Sequence, residues 1–250
     1  MEVIDNKDLW QEDKERLILY ADIMGFKDTI FSQKHEDLKK RLLDFKQSFS
    51  KKIKQLCTGD YMRFVQFSDS IIIVVNGVDA RMVNLVTKAG VILMHEALKS
   101  GFPIKGVISQ GMFTYSKDSE LYFGRPLVNA ALLHDELYYY GIVVHHSAES
   151  IVKKEISVGC PYNLSPINLK KGKTSHYHLV WNMMLLNLSP GDITKRAKEW
   201  LEKIQESVSG APRIYIDNTL SIIDFDAKDF SQKMKSRRES DQLTTGYSVN

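Results

Sequence analysis

The sequence predicts an α+β fold: a ferredoxin-like βαββαβ core with an extra strand, helix and strand, and then a C-terminal appendage. Three observations point there. Runs rich in strand formers occupy residues 17–21, 62–67 and 71–75. The second and third are separated only by Ser68-Asp69-Ser70, the mark of a hairpin. Long helical patterns precede and follow that hairpin, so the outer strands are joined to it by crossovers.

The elements follow in order. The first strand run stops at Asp22, and Gly25 permits a tight turn within Asp22-Ile23-Met24-Gly25-Phe26. Leu38, Leu42, Phe45, Phe49, Ile53 and Leu56 recur at threes and fours, which predicts an amphipathic helix over 32–57. After the hairpin, Asn76-Gly77 ends the strand and 80–100 reads as an apolar helix, capped by Gly101 and stopped by Pro103. Residues 104–115 form another strand, paired with one near Tyr122-Phe123. Gly124-Arg125-Pro126 opens a helix over 127–139, and 141–145 reads as a buried strand. Beyond Ser150 the pattern thins to a strand at 177–181 and a helix at 193–206. Residues 14–147 are therefore the core and 148–250 an appendage on the same domain, its polar tail 228–250 expected to be flexible.

Composition narrows the function. A chain of 250 residues, 43% hydrophobic and 26% charged, is ordinary for a soluble globular protein. Net charge is only +3, which argues against nucleic acid as a partner. Cys57 and Cys160 stand far apart, which excludes a disulfide framework or a structural zinc site and fits a reducing compartment. The first residues are acidic and polar, unlike a signal peptide, and the longest apolar run, 71–75, is too short to span a membrane. The expectation is a cytoplasmic protein with no membrane partner. His145, His146, His176 and His178 lack a third ligand at zinc spacing and read as structural, as do Tyr138-Tyr139-Tyr140 and the apolar Met183-Met184-Leu185-Leu186.

The residues that carry chemistry are Asp22, ending the first strand, and Asp69, at the hairpin tip. Taken singly, each suits local geometry, as a helix cap or a turn residue. In a ferredoxin-like sheet, however, the first strand lies beside the hairpin, so the two carboxylates meet at one sheet end. Two hard oxygen ligands there suit Mg²⁺ or Mn²⁺, and the amides of the adjoining turn can hold phosphate oxygens.

At this point the chain resembles class III nucleotidyl cyclase catalytic domains. Tyr20-Ala21-Asp22-Ile23-Met24-Gly25-Phe26 is similar to their D-[IL]-x-G-[FY] segment, and Phe67-Ser68-Asp69-Ser70-Ile71 to their second-aspartate hairpin, usually G-D. Residues 104–111 are similar to the next core strand, and Phe123-Gly124-Arg125-Pro126-Leu127-Val128-Asn129-Ala130 to the following helix start. The likeness covers residues 14–147 and most resembles the stand-alone bacterial Pycsar cyclases, which make cyclic pyrimidine nucleotides as an antiphage signal.

The resemblance implies a homodimer with shared active sites. It converts a pyrimidine ribonucleoside triphosphate, UTP or CTP, to the 3′,5′-cyclic monophosphate and pyrophosphate. Asp22, Asp69 and the Ile23 carbonyl would hold two Mn²⁺ or Mg²⁺ ions. Phe26 would pack near ribose or phosphates, Lys105 would meet the triphosphate, and Arg63 would read the base in place of the purine enzymes' lysine, where Val65 stands. Asn129 is the candidate transition-state residue, but the Arg expected four places on is Leu133, and Asn129 sits one place late counted from Gly124. Arg125, Lys153, Lys171 and Lys173 are candidate replacements on charge alone. That missing clamp keeps a second reading open, a catalytically inactive cyclase-fold homodimer that binds or regulates. A palm-type diguanylate cyclase or polymerase would need a glycine-glycine-aspartate-glutamate hairpin, which Phe67-Ser68-Asp69-Ser70 is not.

Overall fold

A computed structural model describes residues 10–56, 60–156, 161–183 and 190–245. The chain runs β1 (Asp13–Ile23), α1 (Phe26–Ser32), α2 (His35–Leu56), β2 (Met62–Phe67), β3 (Ser70–Val75), α3 (Ala80–Lys99), β4 (Ile104–Ser116) and β5 (Leu121–Gly124). It continues with α4 (Arg125–Glu136), β6 (Gly141–Val144), α5 (His146–Ile156), β7 (Tyr162–Leu169), β8 (Gly172–Leu179), a 3₁₀ turn (Trp181–Met183), α6 (Pro190–Gln205) and α7 (Ala211–Thr245).

The strands form one sheet in the order β2-β3-β1-β4-β6-β8-β7, with β5 paired to the far half of β4. Its first four strands are antiparallel in the order the βαββαβ pattern predicts, and β6 adds in parallel to β4. Strand alternation assigns the two faces. Leu17, Leu19, Ala21 and Ile23 of β1, with Ile71, Ile73 and Val75 of β3, join the large core beneath α2, α3 and α6. Ile18 and Tyr20 of β1, with Val107, Val143 and Ile72, face the other side, where α4 and β5 pack. Helix α3 is nearly all buried because it crosses the sheet centre, and its ends match their sequence signals. The Asp79 side chain accepts from the Met82 amide at 3.0 Å, and Gly101, at φ 72°, closes the other end with the Phe102 amide on the Ala97 carbonyl at 2.8 Å.

Several elements differ from the sequence-based expectation. The stretch before the strand expected at 177–181 contains β7, which with β8 forms a hairpin that continues the sheet beyond β6. Pro166 is tolerated because β7 is the edge strand. Residues 146–156 form α5. The stretch from Lys228, expected to be flexible, continues α7 as far as Thr245, while residues 246–250, Cys57, Cys160 and residues 184–186 lie outside the described set.

Helix α7 is fastened to the sheet by a buried polar network. Asp226 Oδ1 lies 3.1 Å from His178 Nε2 and accepts from Asn163 Nδ2 at 3.1 Å and Ser165 Oγ at 3.3 Å. Among the described residues no helix is long and apolar enough to cross a membrane.

Candidate active site

The β1–β3 ladder pairs Asp22 with Ser70, the residue after Asp69. One step on, the Ile23 amide donates to the Asp69 carbonyl at 3.0 Å. The end of β1 and the tip of the β2–β3 hairpin therefore meet, which brings the backbones of Asp22 and Asp69 together at one end of the sheet. Ser68 makes the tip tight. Its φ of 56° is the left-handed conformation that glycine adopts freely and serine does not, at the position where the cyclase hairpin usually has glycine. Gly25, at φ 70°, turns the chain out of β1, and its carbonyl accepts from the Thr29 amide as α1 begins.

Residues directly paired across antiparallel strands project to the same face. Asp22 therefore shares its face with Ser70 on one side and Lys105 on the other. Tyr20, two residues back, donates its hydroxyl to Asp22 Oδ2 at 2.8 Å. Burial is the main reason the Tyr20 hydroxyl is pushed up to about 12, with Asp22 adding to it. Helix α4 lays His134 over this group, with Nε2 3.5 Å from Asp22 Oδ2 and the ring edge-on to Tyr20 at 5.3 Å. His134 is held below its ordinary value by burial first and Lys105 second, with Asp22 and Asp135 opposing. Lys105 is 3% exposed. Its amine is lowered to about 8, by burial and then Lys170, against the pull of Asp135 and Asp22.

The donor set suits a hard cation. Asp22 Oδ1 is buried and accepts no hydrogen bond, an arrangement that is costly unless a cation meets it. Among the described residues no group of three or more His, Cys, Asp or Glu is placed to hold a metal.

The other expected site residues are scattered. Phe26 opens α1 and is buried in the large core, with Ile23, Phe102 and Ile104, away from the face of Asp22. The amides of Ile23 and Met24 are spent on the carbonyls of Asp69 and Pro103, so they are not free for phosphate. Arg63 lies four residues back from the hairpin end of β2, its guanidinium paired with both Asp60 oxygens and set over the Trp10 ring at 4.4 Å. That partnership engages both terminal nitrogens of the guanidinium that was expected to read a base. Asn129 is half-buried on α4, and the neighbouring exposed face carries Val128 and Leu132, 59% and 65% exposed. Lys153 pairs with Glu149 on α5 at 3.4 Å, and Lys171 and Lys173 are exposed at the β7–β8 turn. Tyr20 and His134 were not anticipated. A histidine four residues after Ala130 on the buried face of α4 was the available signal.

No protein-family model matches the chain, and no curated protein does. Among solved structures, the chain is similar to the adenylyl cyclase CyaB from P. aeruginosa, with 16% identity and a TM-score of 0.50 over 68% of this chain and 96% of that one. It is also similar to a dimeric guanylyl cyclase domain from the aquatic fungus Blastocladiella emersonii, at 16% identity and a TM-score of 0.48 over 68% and 98%. A third likeness is to an adenylate/guanylate cyclase/hydrolase from Silicibacter pomeroyi, at 16% identity and a TM-score of 0.45 over 67% and 97%. The likeness to CyaB shows that this chain has the fold of a class III cyclase domain.

Proposed function

We propose that the chain is a metal-dependent nucleotidyl cyclase that acts as a homodimer, and that its substrate is UTP or CTP. The observation that carries this reading is the meeting of Asp22 and Asp69 at one sheet end, on a fold shared with an adenylyl cyclase. Asp22, Asp69 and the Ile23 carbonyl would hold the ions. When bound, divalent ions acidify the ribose 3′-hydroxyl and neutralise charge on the triphosphate.

The protein's share is positioning. The 3′-oxygen forms a bond to the α-phosphorus as the bond from that phosphorus to the bridging oxygen breaks, which releases pyrophosphate and one proton. The Tyr20 hydroxyl holds Asp22 Oδ2 by a hydrogen bond and His134 lies over it, so that Oδ1 is the oxygen left to bind. The choice of a pyrimidine rests on the absence of the purine-reading lysine, since Val65 stands in its place. A role as an antiphage signal follows from the same resemblance.

One observation favours the second reading, an inactive cyclase-fold dimer that binds or regulates. The exposed face of α4 offers Val128 and Leu132 where a polar clamp would be needed. A single assay separates the two. Purified protein is incubated with Mn²⁺ and each of the four ribonucleoside triphosphates, with Asp69→Asn as the control. A cyclic monophosphate from UTP or CTP, lost in the variant, is the expected result. Product from ATP alone would overturn the base assignment, and no product from any would favour the inactive module.

A further inference from the structure

Four separate features converge on Lys105. It faces Asp22 across the β1–β4 ladder and Gly141 across the β4–β6 ladder. It is almost fully buried, yet no carboxylate lies within ion-pair distance of it among the described residues. Its amine instead stands over the ring of Tyr215, 5.7 Å from the centroid. Tyr215 belongs to α7, in the part of the chain beyond the βαββαβ core and its added strand, helix and strand.

Tyr215 is itself held in place. Its ring stacks on Tyr140 at 5.4 Å and 16° and meets Tyr138 edge-on at 4.5 Å. One turn later, Asn218 Nδ2 donates to the Tyr138 carbonyl at 2.6 Å, and Thr219 Oγ1 accepts from the Tyr140 amide at 2.8 Å. Gly141 follows directly, and any side chain there would collide with the Tyr139 ring. The tyrosine run that leads into β6 is thus clamped to α7, and together they roof the lysine. An ammonium so enclosed has exchanged water for an aromatic face.

We infer that Tyr215 is a positioning residue that fixes the Lys105 ammonium as a counter-charge on the face of Asp22, which makes the C-terminal helix part of the site. The inference rests on the reading of Asp22 as a metal ligand. Lys105 shares the face of Asp22 beyond ion-pair distance, so its role is to moderate how tightly a divalent ion is held. Fixed on that face, the positive charge opposes a cation arriving at Asp22; once freed from the ring, the side chain turns to water and the opposition falls.

The test uses the full chain and two readouts. In the first, acetylation of Lys105 is followed by mass spectrometry in the wild type, Tyr215→Phe and Tyr215→Leu. Lys105 is expected to be protected in the first two and labelled at least tenfold faster in the third. In the second, Mn²⁺ alone is titrated and free ion read by electron paramagnetic resonance. Lys105→Met is expected to bind Mn²⁺ roughly tenfold more tightly than wild type, the size of effect a nearby charge exerts on a carboxylate. Tyr215→Leu should move the same way, and the double variant should match Lys105→Met alone, because Tyr215 acts through Lys105. Lys105→Arg should stay near wild type.

If Mn²⁺ binds through Asp22 but Tyr215→Leu changes neither readout, the inference falls and the functional reading stands. If wild type binds no Mn²⁺, or Asp22→Asn does not weaken binding, the functional reading falls and takes the role of Lys105 with it. Tighter binding in Tyr215→Leu that persists unchanged when Lys105→Met is added to it supports the inference; additive effects overturn it.

Discussion

The His134 Nε2 atom lies 3.5 Å from Asp22 Oδ2, so α4 brings an imidazole to the carboxylate that ends β1. Neither residue is near the other in sequence, and the contact exists only because α4 packs back across β1 and β4. Together with the Tyr20 hydroxyl it leaves one Asp22 oxygen without a partner.

Replacing His134 separates packing from polarity. His134→Ala removes a buried ring that packs edge-on to Tyr20 and is expected to cost about 2–3 kcal/mol, measured by urea unfolding. His134→Phe keeps the edge-on packing and should cost about 1 kcal/mol or less. Equal losses in both would mean that the Nε2 contact, and not the ring, supplies the stability.

His95 makes stability depend on pH. It is buried between Trp181 and Trp200, with Nε2 2.8 Å from the Trp181 carbonyl, and burial drives its pKa from 6.5 to about 4. The folded state thus holds the proton more weakly than the unfolded chain. The stability this contributes is complete above pH 6.5 and is lost as pH falls towards 4. The shift corresponds to about 3 kcal/mol. His95→Phe should therefore show a shallower loss than wild type when urea unfolding is compared at pH 7 and pH 4.5; parallel curves would contradict the assignment.

The hairpin tip carries backbone strain at Ser68, whose φ is 56°. Ser68→Gly is expected to stabilise by about 0.5 kcal/mol, since relief of the left-handed conformation is partly offset by unfolded-state entropy. Ser68→Val should cost about 1–2 kcal/mol, because a β-branched side chain resists that φ. Thermal unfolding of both variants checks the pair.

Asp226 holds three partners from β7 and β8 in a buried cluster. Asp226→Ala removes the buried acceptor that His178, Ser165 and Asn163 share and is expected to cost about 3–5 kcal/mol. The loss should appear as early hydrogen exchange in α7 and the β7–β8 hairpin, ahead of β1 and β3.

How much of this was legible depended on how local each signal is. β2, β3 and α3 announced themselves because their strand-forming or apolar runs are unbroken and their ends carry turn and cap residues, Ser68, Asp79 and Gly101 among them. β7 stayed hidden because an edge strand can carry Pro166, Asn163 and Ser165, all of which read as loop. α7 stayed hidden because its inward face includes Thr219 and Asp226, polar residues whose partners, Tyr140 and Ser165 among them, lie far away in the chain, and they blur the apolar period. The meeting of the end of β1 with the hairpin tip, which carry Asp22 and Asp69, was legible from strand order. Tyr20, His134 and Tyr215 were not, because each reaches the site through a packing contact that no local spacing encodes. Arg63 was placed on the right strand, but its ion pair with Asp60 and its stacking over Trp10 were not legible from spacing.

The central claim is that Asp22 and Asp69 share divalent ions around a triphosphate. Anomalous diffraction from crystals soaked with Mn²⁺ and a non-cyclising pyrimidine triphosphate analogue tests it most directly. The expected result is strong manganese density in contact with both carboxylates and with the analogue's phosphates. Density elsewhere, or none at Asp22 with the analogue bound, would contradict it.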